Sequence, residues 1–371
     1  MPKIRYYISG HGLGHASRSC QIINTLRRRH AEVAVEVVSD AHPWFFAGFL
    51  DASVPVRARR LDIGVLQRDS LHMDEGATLR AYRRLLAERE ALLAEETASL
   101  RAAGVTLVVA DIAPLAFAVA AAAGIAGVGV ANFTWDWIYE DLIARHGDFA
   151  DVLAAVRDDY RRATAFLRLP FAGTFPAGVP CADLPLVARR AQRSAEEVRR
   201  YLGVAPDRRL ALISFGGFGL ADFDFSALAR LRDWVFVTEA GLAAPGDNLI
   251  CLAPGALAYP SLVGAADVVV TKPGYGIVSE AIANDTAVLY TSRGEFREQA
   301  LLIDGLRRYA RSRPISNAKL LSGDWGEDLD ALLQEPAPAE TLPGDGDRVA
   351  ADQLAAWAGG APGLFSVSLP E

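Results

Sequence analysis

The stretch Ala266-Asp267-Val268-Val269-Val270-Thr271-Lys272-Pro273-Gly274-Tyr275-Gly276-Ile277-Val278-Ser279-Glu280-Ala281-Ile282-Ala283-Asn284 decides the fold. Its first part is short, apolar and β-branched, which reads as a buried strand. From Ile277 to Asn284 apolar residues recur at helical spacing, which reads as an amphipathic helix. A strand, a glycine-bearing turn and a helix start form an anion site, because free backbone N–H groups and the helix dipole point the same way. Lys272 adds a mobile positive charge at that turn, and Glu280, about one turn into the helix, is placed to accept hydrogen bonds from vicinal hydroxyls. Phosphates at the turn and ribose hydroxyls at the glutamate describe a nucleotide site.

Working outward, strand-like and helical runs alternate along the chain, the pattern of parallel α/β architecture. Ile4 to Ser9, Val33 to Ser39, Leu107 to Ala110 and Val128 to Ala131 read as strands of a first sheet. Helices are expected at Ser17 to Arg29, Ala77 to Ala103 and Pro114 to Ala123. A second series runs through Leu210 to Ser214, Val235 to Thr238, Leu249 to Cys251, Val268 to Val270 and Ala287 to Tyr290. The Pro- and Gly-rich stretch Pro170 to Pro185 reads as the passage between the halves, and Ser194 to Leu202 as the helix that opens the second. Arg348 to Trp357 reads as a last helix docking on the first domain. The expected plan is two Rossmann-like, doubly wound domains facing a central cleft: residues 1–175 on the acceptor side, 176–345 binding the donor, and 346–371 as helix and tail. Ligands in such sheets bind at the carboxyl ends of the strands.

The composition fits this plan. The chain has 371 residues, 51% hydrophobic and 22% charged, enough to bury two cores. Its formal net charge of −7 offers no basic domain to neutralise a nucleic-acid backbone. The three cysteines, Cys20, Cys181 and Cys251, are far apart and lack metal-ligand spacing, which points to a reducing compartment. With no signal region and no apolar run of membrane-spanning length, a cytoplasmic protein with at most peripheral membrane contact is expected.

After the first strand comes Ser9-Gly10-His11-Gly12-Leu13-Gly14-His15-Ala16-Ser17-Arg18. Two readings are open. One is a dinucleotide fingerprint, against which stands the missing third glycine in its proper place. In the other, the glycines bring the backbone close to a ligand and His15, at the helix start, takes a proton from a hydroxyl. His11 either shapes this loop or touches the acceptor. Asp111 closes the run Leu107-Val108-Val109-Ala110, and it either holds the His15 imidazole in one tautomer or caps the helix near Pro114.

In the second half, Ile213-Ser214-Phe215-Gly216-Gly217-Phe218-Gly219 is another strand-to-glycine turn that adds backbone donors for a diphosphate. Thr291 to Gln299 follows a strand, and its Glu298 and Gln299 either meet sugar hydroxyls or lie in a solvated loop. Asn132-Phe133-Thr134-Trp135-Asp136-Trp137-Ile138-Tyr139 suggests a cleft wall able to stack on an acceptor ring, core packing being the alternative for one of the indoles. Pro43 to Leu50 is read as core in preference to an acceptor flap. Asp222 and Asp224 lack a third ligand, so no metal is invoked.

On Gly10-His11-Gly12-Leu13-Gly14-His15, Asn132 to Tyr139 and Lys272 to Glu280, the chain resembles the glycosyltransferases of the GT-B fold over nearly its whole length. Among these it is similar to the glycosyltransferase-like proteins related to the N-terminal half of plant L-arabinokinases. More distantly it resembles the peptidoglycan N-acetylglucosaminyltransferase and the small-molecule glucosyltransferases. The resemblance implies His15 as base, Asp111 as its partner, Glu280 on ribose and Gln299 at the donor sugar. It also puts Lys272 where the small-molecule enzymes carry a phosphate-binding histidine. Asp285-Thr286-Ala287 departs from the usual Gly-Thr-Pro or Gly-Val-Pro turn, and a sugar-kinase activity does not follow, since no kinase half is present in this chain.

The expected donor set is therefore Gly14, Gly216, Gly217, Gly219, Lys272, Gly274, Tyr275, Gly276, Ser279, Glu280, Glu298 and Gln299. The expected acceptor set is His11, Trp135 and Asp136. The expected activity is inverting, metal-independent transfer of a sugar from a nucleotide diphosphosugar, UDP favoured, to a hydroxyl of a small or envelope-derived acceptor. No cofactor is needed beyond the co-substrate. The alternatives are a nucleotide-sugar epimerase and a non-catalytic nucleotide-sugar sensor.

Overall fold

The computed structural model describes residues 1–69, 71–216, 223–242 and 246–360. Gly217 and Gly219, both assigned above to the donor, lie outside the described residues, as does Asp222. The chain divides into two compact units. The first comprises 1–66, 74–187 and 343–371, and the second 67–73 and 188–342.

In the first unit the strands are β1 (Lys3–Ile8), β2 (Ala34–Ser39), β3 (Val56–Ala58), β4 (Leu107–Asp111), β5 (Ala126–Ala131), β6 (Ala165–Arg168) and β7 (Cys181–Asp183). They form one sheet in the order β3-β2-β1-β4-β5-β6-β7, and each neighbouring pair is parallel. Strand order reverses between β1 and β4, where Ile8 pairs with Asp111. Such a reversal opens a crevice at the carboxyl ends of the strands.

The second unit repeats the pattern with β8 (Arg209–Ser214), β9 (Trp234–Glu239), β10 (Leu249–Leu252), β11 (Val268–Thr271), β12 (Ala287–Tyr290) and β13 (Ser312–Pro314). Their order is β10-β9-β8-β11-β12-β13, again with parallel neighbours. Here the reversal lies between β8 and β11, where Thr271 pairs with Ser214. Both faces of this sheet are covered, as all-parallel sheets require. Val268 and Val270 point to one face with Phe236 and Trp325. Val269 points to the other with Leu210, Leu212 and Val235.

Several expectations about segments are revised. Pro170 to Pro185 is no passage between halves, because β7 pairs with β6 and belongs to the first sheet; the chain crosses to the second unit after Val187. The long helix expected at Ala77 to Ala103 is two helices, Glu75–Ala87 and Arg89–Ala102, meeting at Glu88. The helix expected from Ser17 begins earlier, at Gly12. Pro43–Phe49 is a short helix with Phe45 and Phe46 buried and Trp44 exposed. The C-terminal helix Gly346–Ala358 belongs to the first unit and lies along Gly12–Arg29. There Gln21 Nε2 and Thr25 Oγ1 donate to Asp347 at 2.8 and 2.6 Å, and Arg29 forks onto Asp352. At the departing turn, Asp285 has φ +53, the left-handed conformation that a glycine supplies at less cost.

Candidate functional site

In the first unit, the loop after β1 turns directly into the helix Gly12–Arg29, with His11 at its N-cap and Gly14 and His15 in the first turn. His15 Nδ1 lies 2.8 Å from Asp111 Oδ1, at the end of the neighbouring strand β4. The adjacency of β1 and β4 is what brings together two residues 96 apart in sequence.

Asp111 is fully buried and accepts from more than the imidazole. Arg18 Nε reaches Oδ2 at 2.7 Å, Arg18 Nη2 reaches Oδ1 at 2.6 Å, and Ser19 Oγ donates to Oδ2 at 2.8 Å. Arg18 Nη1 also donates to Asn132 at the end of β5, at 2.6 Å. Burial works against the Asp111 charge. The Arg18 guanidinium first, then the imidazole and the hydrogen bonds from both, outweigh burial and hold the carboxyl down to about 2. An ionised carboxylate only accepts, so Nδ1 carries the proton of the His15–Asp111 bond and Nε2 is the nitrogen left for a substrate. Arg18 Nη2 passes 3.0 Å from Nδ1 on its way to the same oxygen.

Sequence reasoning missed Arg18, Ser19 and Asn132 as members of this cluster. Arg18 had a readable signal: it stands three residues after His15, on the same helix face. Another missed group is Asp62, a buried carboxyl that accepts from Trp135 Nε1 at 2.8 Å. Burial, with a smaller push from the Asp40 charge, raises it to about 6 against hydrogen bonds from Ser9 and Trp135.

Trp135 is not the cleft wall expected of it. It opens the helix Trp135–His146, is 0% exposed, and stacks on Tyr139 one turn later with ring centroids 5.8 Å apart. No acceptor ring can lie on a side chain with no exposed surface. Instead its ring packs beside both histidines, 5.1 Å from His11 and 6.0 Å from His15. Trp137 is buried too, against Gly173. Asp136 follows Trp135 in the first turn, and burial pushes its carboxyl up.

In the second unit, Lys272 follows β11 at the strand-order reversal, next to the end of β8 and Gly216, which has φ +71. Gly274 is the N-cap of the helix Tyr275–Ala283, which opens with Tyr275 and Gly276. Among the described residues, a side chain added at Gly274 would meet no heavy atom within 4 Å. Burial, with the nearby Arg293 charge, pushes the Lys272 ammonium down to about 7, against a smaller pull from Asp69.

Arg293 is the missed partner here. It is buried, donates through Nη1 to the Pro273 carbonyl at 3.2 Å, pairs with Glu298 at 3.3 Å, and lies 4.0 Å over the Phe296 ring. Glu298 is therefore a buried counter-charge to Arg293, which corrects its assignment to sugar hydroxyls. Gln299 folds back on its own loop, accepting from the Arg293 backbone N–H at 2.6 Å. Ser279 is corrected as well: it is buried, and its hydroxyl donates to the Tyr275 and Gly276 carbonyls of its own helix. Glu280 is buried with Oε1 held at 2.6 Å by Arg189 Nε. Arg189 stands 91 residues earlier, and no local pattern marks it.

Among the described residues, no helix is long and apolar enough to cross a membrane. No protein-family model matches the chain. Over 329 residues, 86% of this chain, it is 32% identical to the L-arabinokinase of Arabidopsis thaliana. The matched part is 31% of that protein, so the chain spans about a third of the relative's length. Similar solved structures include the glycosyltransferase of kitacinnamycin, at 16% identity and TM-score 0.62 over 98% of this chain and 96% of that one. Another is Phytolacca americana UGT2 complexed with UDP-2-fluoro-glucose and pterostilbene, at 14% identity and TM-score 0.63 over 97% and 95%. A third is the glycosyltransferase VinC in complex with dTDP, at 17% identity and TM-score 0.56 over 98% and 96%. Identities this low establish the fold.

Proposed function

We propose that this chain, which shares the fold of the GT-B glycosyltransferases, transfers a sugar from a nucleotide diphosphosugar to a hydroxyl acceptor, with inversion and without a metal ion. UDP is the favoured nucleotide. The observation that carries this reading is the furnishing of the two strand-order reversals. One holds a histidine oriented by a buried carboxylate, and the other holds a half-buried lysine and a buried arginine beside a glycine-capped helix start. A base for a hydroxyl and a seat for a diphosphate are the two things such a transfer needs.

In this reading His15 Nε2 takes the acceptor proton while Asp111 holds Nδ1–H and offsets the imidazolium that forms. The acceptor oxygen attacks the anomeric carbon from the face opposite the leaving diphosphate. Negative charge then grows on that diphosphate. Lys272, Arg293 and the N–H groups opening the helix Tyr275–Ala283 supply positive potential there, the part a divalent cation plays in other transferases. Glu280, fixed by Arg189, is assigned to the ribose, Gln299 to the donor sugar, and Gly14 and Gly216 to close backbone approach. His11 and Asp136 are assigned to the acceptor, which we take to be small or envelope-derived. Trp135 supports them from the core. The three cysteines, far apart in sequence and in no disulfide, fit a cytoplasmic setting.

The test is turnover of UDP-glucose and other UDP-sugars by the wild type and His15→Ala. The expected result is a loss of kcat of at least about 100-fold, the usual contribution of a general base, with nucleotide affinity retained. A variant that loses only nucleotide affinity would remove His15 from the role of base.

A further inference from the structure

His11 is the extended N-cap and His15 lies in the first turn of the same helix. Their ring centroids are 6.1 Å apart. Each Nδ1 is already engaged, by a partner of opposite kind. His15 Nδ1 faces the Asp111 carboxylate at 2.8 Å, which can only accept, while Arg18 Nη2, 3.0 Å from Nδ1, donates to the same carboxylate oxygen at 2.6 Å. His11 Nδ1 faces the backbone N–H of Val65 at 3.2 Å, which can only donate. On the imidazole inventory, His15 then carries its proton on Nδ1 and His11 carries its proton on Nε2.

The rest of the surroundings hold His11 in that pose. Gly64, with φ +64, is packed so closely on His11 that an added Cβ would lie 2.4 Å from the His11 Cβ. Tyr139 Oη donates to the Gly64 carbonyl at 2.7 Å, fixing the segment that supplies the Val65 N–H. Trp135, anchored through Asp62, walls both rings.

We infer that His11 and His15 are locked in opposite tautomers and together grip one hydroxyl group of the acceptor, His15 Nε2 accepting its proton and His11 Nε2–H donating to its oxygen. Two hydrogen bonds of about 2.8 Å span up to roughly 5.6 Å between nitrogens, so a shared hydroxyl requires the two Nε2 atoms to come at least that close. A hydroxyl both donates and accepts, and so satisfies the pair. An alkylammonium has no lone pair for His11, and a carboxylate has no proton for His15. The pair thus selects alcohols over ammonium ions and carboxylates, and it makes His11 a specificity residue of the reaction. The inference rests on the acceptor assignment given under the proposed function.

The test uses protein labelled with 15N-histidine, nitrogen–proton correlation spectra and glycerol as the probe. In the wild type, the expected protons are on His11 Nε2 and His15 Nδ1, and glycerol is expected to shift both Nε2 signals together while ethylammonium, which can donate to His15 and cannot accept from His11, leaves the His11 Nε2 signal unmoved. His11→Asn keeps an acceptor for the Val65 N–H and lacks the Nε2 donor; in it the His15 response to glycerol is expected to be lost. His11→Gln restores a donor near Nε2 and is expected to restore that response. A His11 proton on Nδ1 would overturn the inference. So would glycerol shifts at one histidine alone or at neither, or a His15 response that survives in His11→Asn. No sugar turnover is read in these spectra, so failure of the transferase assay would strike the proposed function and leave this result to be judged separately.

Discussion

Arg18 forks onto Asp111, with Nε 2.7 Å from one carboxylate oxygen and Nη2 2.6 Å from the other, beside the His15 imidazole. The carboxylate read from the sequence as partner of His15 or as a helix cap is shared with an arginine, and both ions are buried. A buried pair of this kind is costly to break, because the survivor is left charged in a poor solvent. Arg18 also ties β4 to β5 through Asn132, so the pair links strand ends as well as orienting the His15 imidazole.

Asp111→Asn is therefore expected to act twice. Stability falls by about 3–5 kcal/mol, the usual cost of removing one partner of a buried pair, read as a lower midpoint in urea unfolding. Turnover falls further than the folded fraction, because an amide can present N–H to Nδ1 and favour the other tautomer. The pH sign is also fixed. The folded carboxyl sits at about 2, below its ordinary value of 3.8, so its stabilisation is present above that ordinary value and is lost as pH falls toward 2.

Asp62 is expected to behave in the opposite way. Its carboxyl is raised to about 6, so folding favours the protonated form, and stability declines as pH rises from 3.8 through 6. Asp62→Asn keeps an acceptor for Trp135 Nε1 and removes the charge. Thermal melts of this variant are expected to exceed the wild type at pH 8 and to match it near pH 4. Equal melting points at both values would show that Asp62 is not forced to ionise in the core.

Nucleotide affinity is expected to fall as pH rises through neutrality. Lys272 sits near 7 in the unliganded protein, with Arg293 opposing its charge, Asp69 favouring it and Glu298 pairing with Arg293. A diphosphate favours the protonated lysine, so binding takes up a proton above pH 7, and affinity drops by at most about tenfold per pH unit. Calorimetry in buffers of different ionisation enthalpy reads this uptake. In the unliganded protein the same lysine makes stability rise with pH between 7 and 10.5. Lys272→Met should flatten both dependences.

Gly64→Ala tests the support of His11. An added Cβ would meet His11 at 2.4 Å on a backbone of φ +64 that alanine adopts reluctantly. The expected outcome is a loss of about 1–3 kcal/mol together with a change in the His11 signals. An unchanged His11 spectrum would show that the loop does not hold the ring.

Much of this was legible in the sequence because parallel sheets write themselves in short β-branched runs. Ala287 to Tyr290 is a strand with the expected limits, and Leu107–Asp111 ends on the aspartate that the motif reading singled out. The short strands β3, β7 and β13 escaped because three residues at a sheet edge carry no periodicity. Trp135 misled because two indoles among polar residues look alike on a cleft wall and on a helix start. The helix, with Tyr139 one turn on, made it core. Arg189 and Arg293 were missed because their partners are fixed by tertiary packing, and frequent arginine on helix faces reads as a solvated surface.

The central claim, that the second unit seats a nucleotide diphosphosugar, is tested most directly by titrating UDP, GDP, dTDP and ADP in EDTA into the wild type and Glu280→Ala. The account predicts that one nucleotide, UDP first among them, binds without metal and binds more weakly when Glu280 is replaced. Binding of none of the four, or binding indifferent to Glu280, would contradict it.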